Sequence, residues 1–166
     1  RWSYIVLNTM LGGSMSSMLF QEAREELGLV YSIYSYLSAY RDCGALAIYA
    51  ASTQENVNRT LDVIGKQMVR LKKGDLLDIR LDDIKAQIKG NILLSRESTV
   101  SRASSMAKNE MYYRREVTVE EVLDKINAVS IDDIVELAND IFVNDKLTFV
   151  SLGRISQDSL AWPPLT

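Results

Sequence analysis

Residues 12–32 constrain the fold most strongly, because they predict a helix that passes through a glycine directly into a strand. The pair Gly12 and Gly13 allows the backbone to turn sharply before the helix. Apolar residues then recur every four positions, which predicts one buried helix face. Gly28 is typical of the left-handed C-cap that ends a helix. The predicted buried positions are Leu19, Ala23 and Leu27, and the strand is predicted to begin at Leu29, Val30 and Tyr31.

Two polar side chains flank this reversal. Arg24 precedes it by about four residues, which is roughly 6 Å of helix, and Tyr31 follows Gly28 by roughly 10 Å of strand. If the strand doubles back beside the helix, the guanidinium and the phenol converge. Two such donors could hold a peptide carbonyl or a developing oxyanion. The same spacing also fits a solvated Arg24 and an ordinary strand aromatic at Tyr31, and spacing alone favours this second interpretation.

A β-hairpin is predicted next, with strands at residues 30–39 and 45–51. Gly44, in the turn between them, is expected to adopt a positive φ. Three tyrosines share one parity in and beyond the first strand. They fit either sheet packing, which the pattern favours, or a peptide-binding surface. These tyrosines are Tyr34, Tyr36 and Tyr40.

Helices dominate the second half of the chain. Thr118 and Ser130 precede helical patterns at spacings typical of N-caps. The small residues of segment 95–113 predict a helix packed tightly on the sheet, and residues 146–152 predict a closing strand. Together with the hairpin, these elements predict an α+β fold with a mostly antiparallel sheet and helices packed on one face.

The absence of histidine restricts the chemistry of these 166 residues. A zinc peptidase of the inverted type needs H-x-x-E-H, in which two imidazoles bind the metal and a Glu activates water. Ser-His-Asp and Cys-His catalysis need an imidazole as well. The only cysteine, Cys43, allows neither an internal disulfide nor a thiolate zinc cluster. None of these enzymes can be complete within this chain.

The charge and hydropathy exclude further classes of function. The net charge is −3 and the pI is about 5.1, so there is no excess of basic residues to neutralise the phosphates of a nucleic acid. No apolar run is long enough to span a bilayer, and no signal-peptide pattern is present. We therefore expect no nucleic-acid or membrane partner, and a cytoplasmic location.

The run from Gly12 to Ser32, GGSMSSMLFQEAREELGLVYS, resembles the C-terminal-type domain of the pitrilysin/insulinase zinc metallopeptidases, which include the mitochondrial processing peptidases. Members of that family carry an Arg and a Tyr seven residues apart in an R-E-x-x-G-L-x-Y context. These fall on Arg24 and Tyr31. The resemblance continues to Gly153. Two departures concern charge: Met18 stands where the family usually has Arg, and Glu26-Leu27 replaces a Lys-Arg-like pair.

The resemblance implies a processing-peptidase-like, C-terminal-type domain over residues 1–153, followed by a tail or linker over 154–166. Family members usually have a strand before the first helix, so we expect the chain to be a fragment of a longer protein. In the family, the zinc lies in an H-x-x-E-H-bearing domain or subunit that hydrolyses peptides in an enclosed chamber. Arg24 and Tyr31 would then be catalytic, and Gly12 and Gly13 would bind substrate.

The implied partners are a peptide substrate and the H-x-x-E-H-bearing domain, and a dimer is expected. A different class of function also fits. Relatives of this family serve as non-catalytic subunits, including core proteins of the respiratory cytochrome bc1 complex. A third arrangement is a two-chain enzyme in which this protein supplies Arg24 and Tyr31 and a separate chain supplies the zinc ligands.

Overall fold

The computed structural model describes residues 1–156, 159–162 and 165. Two strands, β1 and β2, form an antiparallel hairpin, and a π-helix stands immediately before β1. The bounds are α1 (Trp2–Leu11), the π-helix (Phe20–Glu26), β1 (Val30–Ala39), β2 (Gly44–Ser52), α2 (Val57–Lys73), α3 (Leu81–Ser95), α4 (Thr99–Tyr113), α5 (Val119–Asn127) and α6 (Ile131–Ile141). Helices packed against an antiparallel sheet confirm the predicted α+β class.

The hairpin forms where the alternating pattern predicts it. The backbone N–H of Tyr40 donates to the carbonyl of Cys43 at 2.9 Å and closes the turn. The prediction of a positive φ at Gly44 is wrong. Gly44 instead begins β2 opposite Ala39, so the turn reverses within the residues before it.

The core is built around α1, whose buried side chains face β1 and the helices α3, α5 and α6. Apolar residues at helical spacing place one face of α2 in the same core. Ser130 accepts a hydrogen bond from the backbone of Asp133 and caps α6, as predicted. The buried apolar residues of α1 and α2 are Val6, Leu7, Met10, Leu11, Leu61, Val63, Ile64, Met68 and Leu71.

Two predicted elements differ from the structure. Helix α4 forms, but none of its residues is buried, and Val100, Met106 and Met111 are exposed. Small side chains permit close approach to a neighbour without enforcing it, so their pattern alone did not determine packing. The predicted closing strand at 146–152 is wrong: a 3₁₀ turn (Asn144–Lys146) is followed by chain that pairs with no strand in the described residues. A strand needs a partner edge to satisfy its backbone groups.

The segment predicted as a tail packs back on α2 at the described positions. Asn58 donates from Nδ2 to the carbonyl of Ser159 at 2.8 Å, and its Oδ1 accepts from the backbone N–H of Ala161 at 3.1 Å. Lys72 donates to the carbonyl of Leu165, which is itself buried. The prolines of this segment, Pro163 and Pro164, lie outside the described residues.

Candidate functional site

A π-helix carries the candidate arginine. The backbone N–H of Leu27 donates to the carbonyl of Glu22 at 3.0 Å, a bond that spans one residue more than in an α-helix. Gly28 follows with φ 57° in the predicted left-handed C-cap, and the N–H of Leu29 donates to the carbonyl of Ala23 at 2.8 Å. Leu19 and Ala23 are buried as predicted, whereas Leu27 is exposed because it lies beyond the last helical residue.

Arg24 is exposed, and its guanidinium stacks on an aromatic ring one turn earlier. The Cζ atom lies 4.9 Å from the ring centroid of Phe20, within the range of a cation–π contact. Among the described carboxylates, only Glu25 comes within 4.0 Å of the Arg24 guanidinium, at 4.0 Å from Nε. The stacking therefore restrains the guanidinium without using its N–H donors. The spacing of Phe20 and Arg24 could have indicated this pair from the sequence.

Tyr31 is exposed because β1 is irregular at its start. Val30 pairs with Ser52 and Ser32 pairs with Ala51, so Tyr31 is the extra residue of a β-bulge. Val30 and Ile33 are both buried although they lie three positions apart in sequence, and in a regular strand side chains at such an odd offset face opposite sides. The bulge shifts the parity and leaves the Tyr31 side chain 86% exposed.

The two candidate side chains thus stand on either side of Gly28, and both reach solvent. No hydrogen bond joins Arg24 to Tyr31 within the described part of the chain. Tyr31 does not contribute to the core, so packing does not account for an aromatic residue there. A cation and a phenol that keep their donors can each hydrogen-bond an oxygen acceptor, including a peptide carbonyl.

Gly12 and Gly13 lie where α1 meets β1. A Cβ atom on Gly12 would lie 2.7 Å from the backbone nitrogen of Ser35, and one on Gly13 would lie 2.8 Å from the Cα of Thr9. The N–H of Ser35 also donates to the carbonyl of Gly12 at 2.9 Å. The close approach of backbone to backbone accounts for both glycines, and a substrate contact at either remains a prediction.

Tyrosines cover the outer face of the hairpin. Tyr34 lies opposite Tyr49, and their rings stack with centroids 5.0 Å apart, while Tyr36 follows on the same face with its ring 6.2 Å from Tyr34. All three are exposed, and so is Tyr40 beyond the end of β1. The sheet-packing interpretation of this stripe is therefore wrong, because the buried face of β1 is the other one. Tyr49 lies on β2 and was missed by the sequence pattern.

The Cys, Asp and Glu side chains of the described residues do not cluster into a metal site. Within residues 1–156, 159–162 and 165, no three His, Cys, Asp or Glu side chains are placed to hold a metal ion. A zinc ion therefore does not fit the described side chains. In the same residues, none of the helices has the length and apolar character needed to cross a membrane.

Comparison with models of known protein families identifies the family of this chain. The model of the peptidase M16 inactive domain matches residues 2–88, which is more than half of the sequence. The chain belongs to the peptidase M16 inactive-domain family. The stretch matched contains the π-helix, the bulge, the hairpin and α2. This confirms the resemblance found from the sequence.

Relatives of this M16 inactive domain are named zinc proteases. The uncharacterised zinc protease YmxG of Bacillus subtilis is 40% identical over 144 residues, covering 87% of this chain and 35% of YmxG. The zinc protease SCO5738 of Streptomyces coelicolor is 36% identical, covering 85% of this chain and 31% of that protein. The chain thus spans about a third of the length of these curated relatives.

Solved structures share the fold. A conserved protein from Enterococcus faecalis superposes with a TM-score of 0.74 at 26% identity, over 84% of this chain and 32% of that one. A chain of Complex III2 from Candida albicans superposes with a TM-score of 0.66 at 18% identity, over 83% of this chain and 35% of that one. At that identity the second comparison establishes the fold alone.

Proposed function

We propose that this domain is the substrate-binding, non-zinc half of a zinc-dependent endopeptidase. The exposure of Tyr31 at a β-bulge, directly after the π-helix that carries an exposed Arg24, is the observation that carries the proposal. π-Helical turns and β-bulges are both found frequently at functional sites, where they re-aim side chains. Here Arg24 lies within the π-helix and Tyr31 is the extra residue of the bulge.

The proposed chemistry is hydrogen bonding to the substrate. The Arg24 guanidinium and the Tyr31 phenol donate to the backbone oxygen of a bound peptide, and these bonds strengthen as negative charge develops on that oxygen. The zinc and its ligands belong to a separate H-x-x-E-H-bearing domain or subunit, since the described residues of this chain cannot hold the metal. Residues 1–153 act as one domain facing that partner across an enclosed chamber.

The tyrosine-covered face of the hairpin is proposed to extend this site. Tyr34, Tyr36 and Tyr49 offer aromatic area and hydroxyl groups, and the residues paired along this face are Ser and Ala. An uncharged face of this kind suits peptide backbone and apolar side chains. Met18, which stands where the family usually has Arg, has its side chain buried in the core and adds no charge to this face.

The test replaces Tyr31 by Phe in the assembled peptidase, meaning this chain together with its zinc-bearing domain or subunit. Removing one donor from an oxyanion-stabilising pair lowers kcat by about 100-fold. The same change at Tyr112, an exposed tyrosine on α4 outside the proposed site, serves as the matched control. Unchanged peptide turnover in Tyr31→Phe, measured with an internally quenched peptide, would remove Tyr31 from the proposal.

A second candidate function is that of a non-catalytic subunit with the same fold. It rests on the fold alone, which this chain shares with a chain of Complex III2. Such a subunit needs the sheet and the helices but no donors at Arg24 and Tyr31. This second candidate is supported if the unsubstituted protein, stably folded and assembled with all its partners, has no peptidase activity.

A further inference from the structure

A carboxylate of the π-helix is held by two donors from α2. Glu22 accepts a hydrogen bond from Lys66 Nζ at 2.6 Å through Oε1, and from Gln67 Nε2 through Oε2. The side chain of Glu22 is only 17% exposed, whereas that of Lys66 is 62% exposed. Both oxygens of one carboxylate are therefore tied to a single neighbouring helix. We call Glu22, Lys66 and Gln67 the clamp.

Gln67 connects the clamp to Arg70, one turn further along α2. Gln67 is buried, with 1% of its surface accessible, and its Oε1 accepts from Arg70 at 3.2 Å. Arg70 in turn pairs with Asp78 and approaches Asp75 at 3.8 Å. The Gln67 amide thus uses its oxygen on one side and its nitrogen on the other, so its orientation is fixed. A buried amide that lost its acceptor would carry a desolvation cost.

The clamp influences the direction of the Arg24 side chain through the backbone of the π-helix. The carbonyl of Glu22 accepts the hydrogen bond from Leu27 that defines the wide turn, and Arg24 lies within that turn. The guanidinium rests on Phe20 of the same helix and forms no hydrogen bond with another described side chain. Its direction is therefore set by the rotation of the π-helix about its axis. Buried Leu19 and Ala23 hold one face of this segment against the core, and the clamp ties Glu22, the residue before Ala23, to α2.

We propose that Glu22 is a positioning residue: through Lys66 and Gln67 it fixes the rotation of the π-helix and so aims Arg24 at the substrate. This inference rests on the proposed function, because it assigns Glu22 a role through Arg24. A purely structural Glu22 would affect stability and leave the action of Arg24 unaltered. The two roles differ in whether the effects of changing Glu22 and Arg24 are independent.

The test is a double-mutant cycle on kcat/KM of the assembled peptidase with Glu22→Gln and Arg24→Ala. Glu22→Gln keeps the shape of the side chain and removes its charge. We expect it to lower kcat/KM about 10-fold in the parent and less than 2-fold when Arg24 is already Ala, because coupled residues are not additive. Lys66→Met changes a largely exposed residue and removes one of the two donors to Glu22, so it should reproduce part of the loss. It replaces Glu22→Gln in the cycle if that variant folds poorly. Glu26→Gln, on the same helix and exposed, is the matched control.

The outcomes separate the two proposals. If Arg24→Ala lowers activity and Glu22→Gln multiplies that loss by the same factor in both backgrounds, the positioning role is wrong and the proposed function stands. If Arg24→Ala has full activity, the proposed function fails and the positioning role fails with it. A readout without catalysis is the NMR signal of the Arg24 Nε–H group in the 166-residue chain, identified by its loss in Arg24→Lys. It should move in Glu22→Gln and stay in place in Glu26→Gln.

Discussion

Gly28 offers a quantitative test of how the π-helix ends. Its φ is 57°, and a Cβ built there would meet nothing within 4 Å. Gly28→Ala therefore creates no steric clash with neighbouring residues. Its cost in stability comes from the left-handed backbone alone. That conformation costs an L-residue about 1 kcal/mol, the lower end of the usual range. We expect the free energy of unfolding to fall by this amount.

Gly90 provides the matched comparison, because a Cβ built there also meets nothing within 4 Å. It lies inside α3, where the backbone is right-handed helical. Gly90→Ala should raise the free energy of unfolding by about 0.5–1 kcal/mol, since alanine loses less backbone entropy than glycine in a helix. The same substitution at two open positions thus has opposite effects on stability, and the free energies of unfolding of the two variants differ by about 1.5–2 kcal/mol.

The assay is urea denaturation of the 166-residue chain, followed by circular dichroism. With a slope of about 2 kcal/mol per molar urea, Gly28→Ala moves the midpoint down by about 0.5 M and Gly90→Ala moves it up by up to about 0.5 M. The slopes should stay equal, because neither change alters the surface exposed on unfolding. Asparagine tolerates the left-handed region better than alanine, so Gly28→Asn should cost less. A Gly28→Ala variant as stable as the parent would refute the C-cap at this position.

The remaining predictions concern acid stability and zinc. The backbone N–H and the hydroxyl of Ser130 donate to the Asp133 carboxylate at 2.7 and 2.8 Å, and these bonds lower the pKa of Asp133. Because the pKa in the folded state lies below the unfolded value, the stability gained is present above about pH 4 and is lost as the pH falls through the folded pKa. Asp133→Asn should therefore make the urea midpoint depend less on pH between pH 5 and pH 2. An unchanged pH dependence of the midpoint over that range would contradict the assignment. The chain alone, incubated with zinc and desalted, should retain far less than one equivalent by elemental analysis, since it has no histidine and no described metal-binding cluster; tight stoichiometric zinc would contradict the location of the metal in a partner.

Much of the local structure was predictable, because it depends on neighbours in sequence. Gly28 was identified as the end of a helix, since few other residues accept a positive φ there. The hairpin strands followed from alternation, and the cap of α6 followed from Ser130. The residues of the candidate site, Arg24 and Tyr31, were identified from the family resemblance, which the comparison with the M16 inactive domain bears out at the level of the family.

What the pattern could not predict depends on contacts between distant segments. The small residues of α4 fit close packing equally well with or without a neighbour, and residues 146–152 have the composition of a strand but no described partner edge. The bulge that exposes Tyr31 arises because Val30 and Ile33 must both reach the core. The clamp of Glu22 joins residues more than 40 positions apart in sequence.

The sequence by itself determined the hairpin strands, the end of the helix before β1, the cap of α6, and which family the chain belongs to. These depend on backbone conformation and on side-chain periodicity, both of which act over a few residues. Only the tertiary structure decided that the helix carrying Arg24 widens into a π-helix, that Tyr31 turns outward, and that Glu22 is fixed to α2. Burial and side-chain pairing across the fold determine these features, because they fix how each element is rotated against the others.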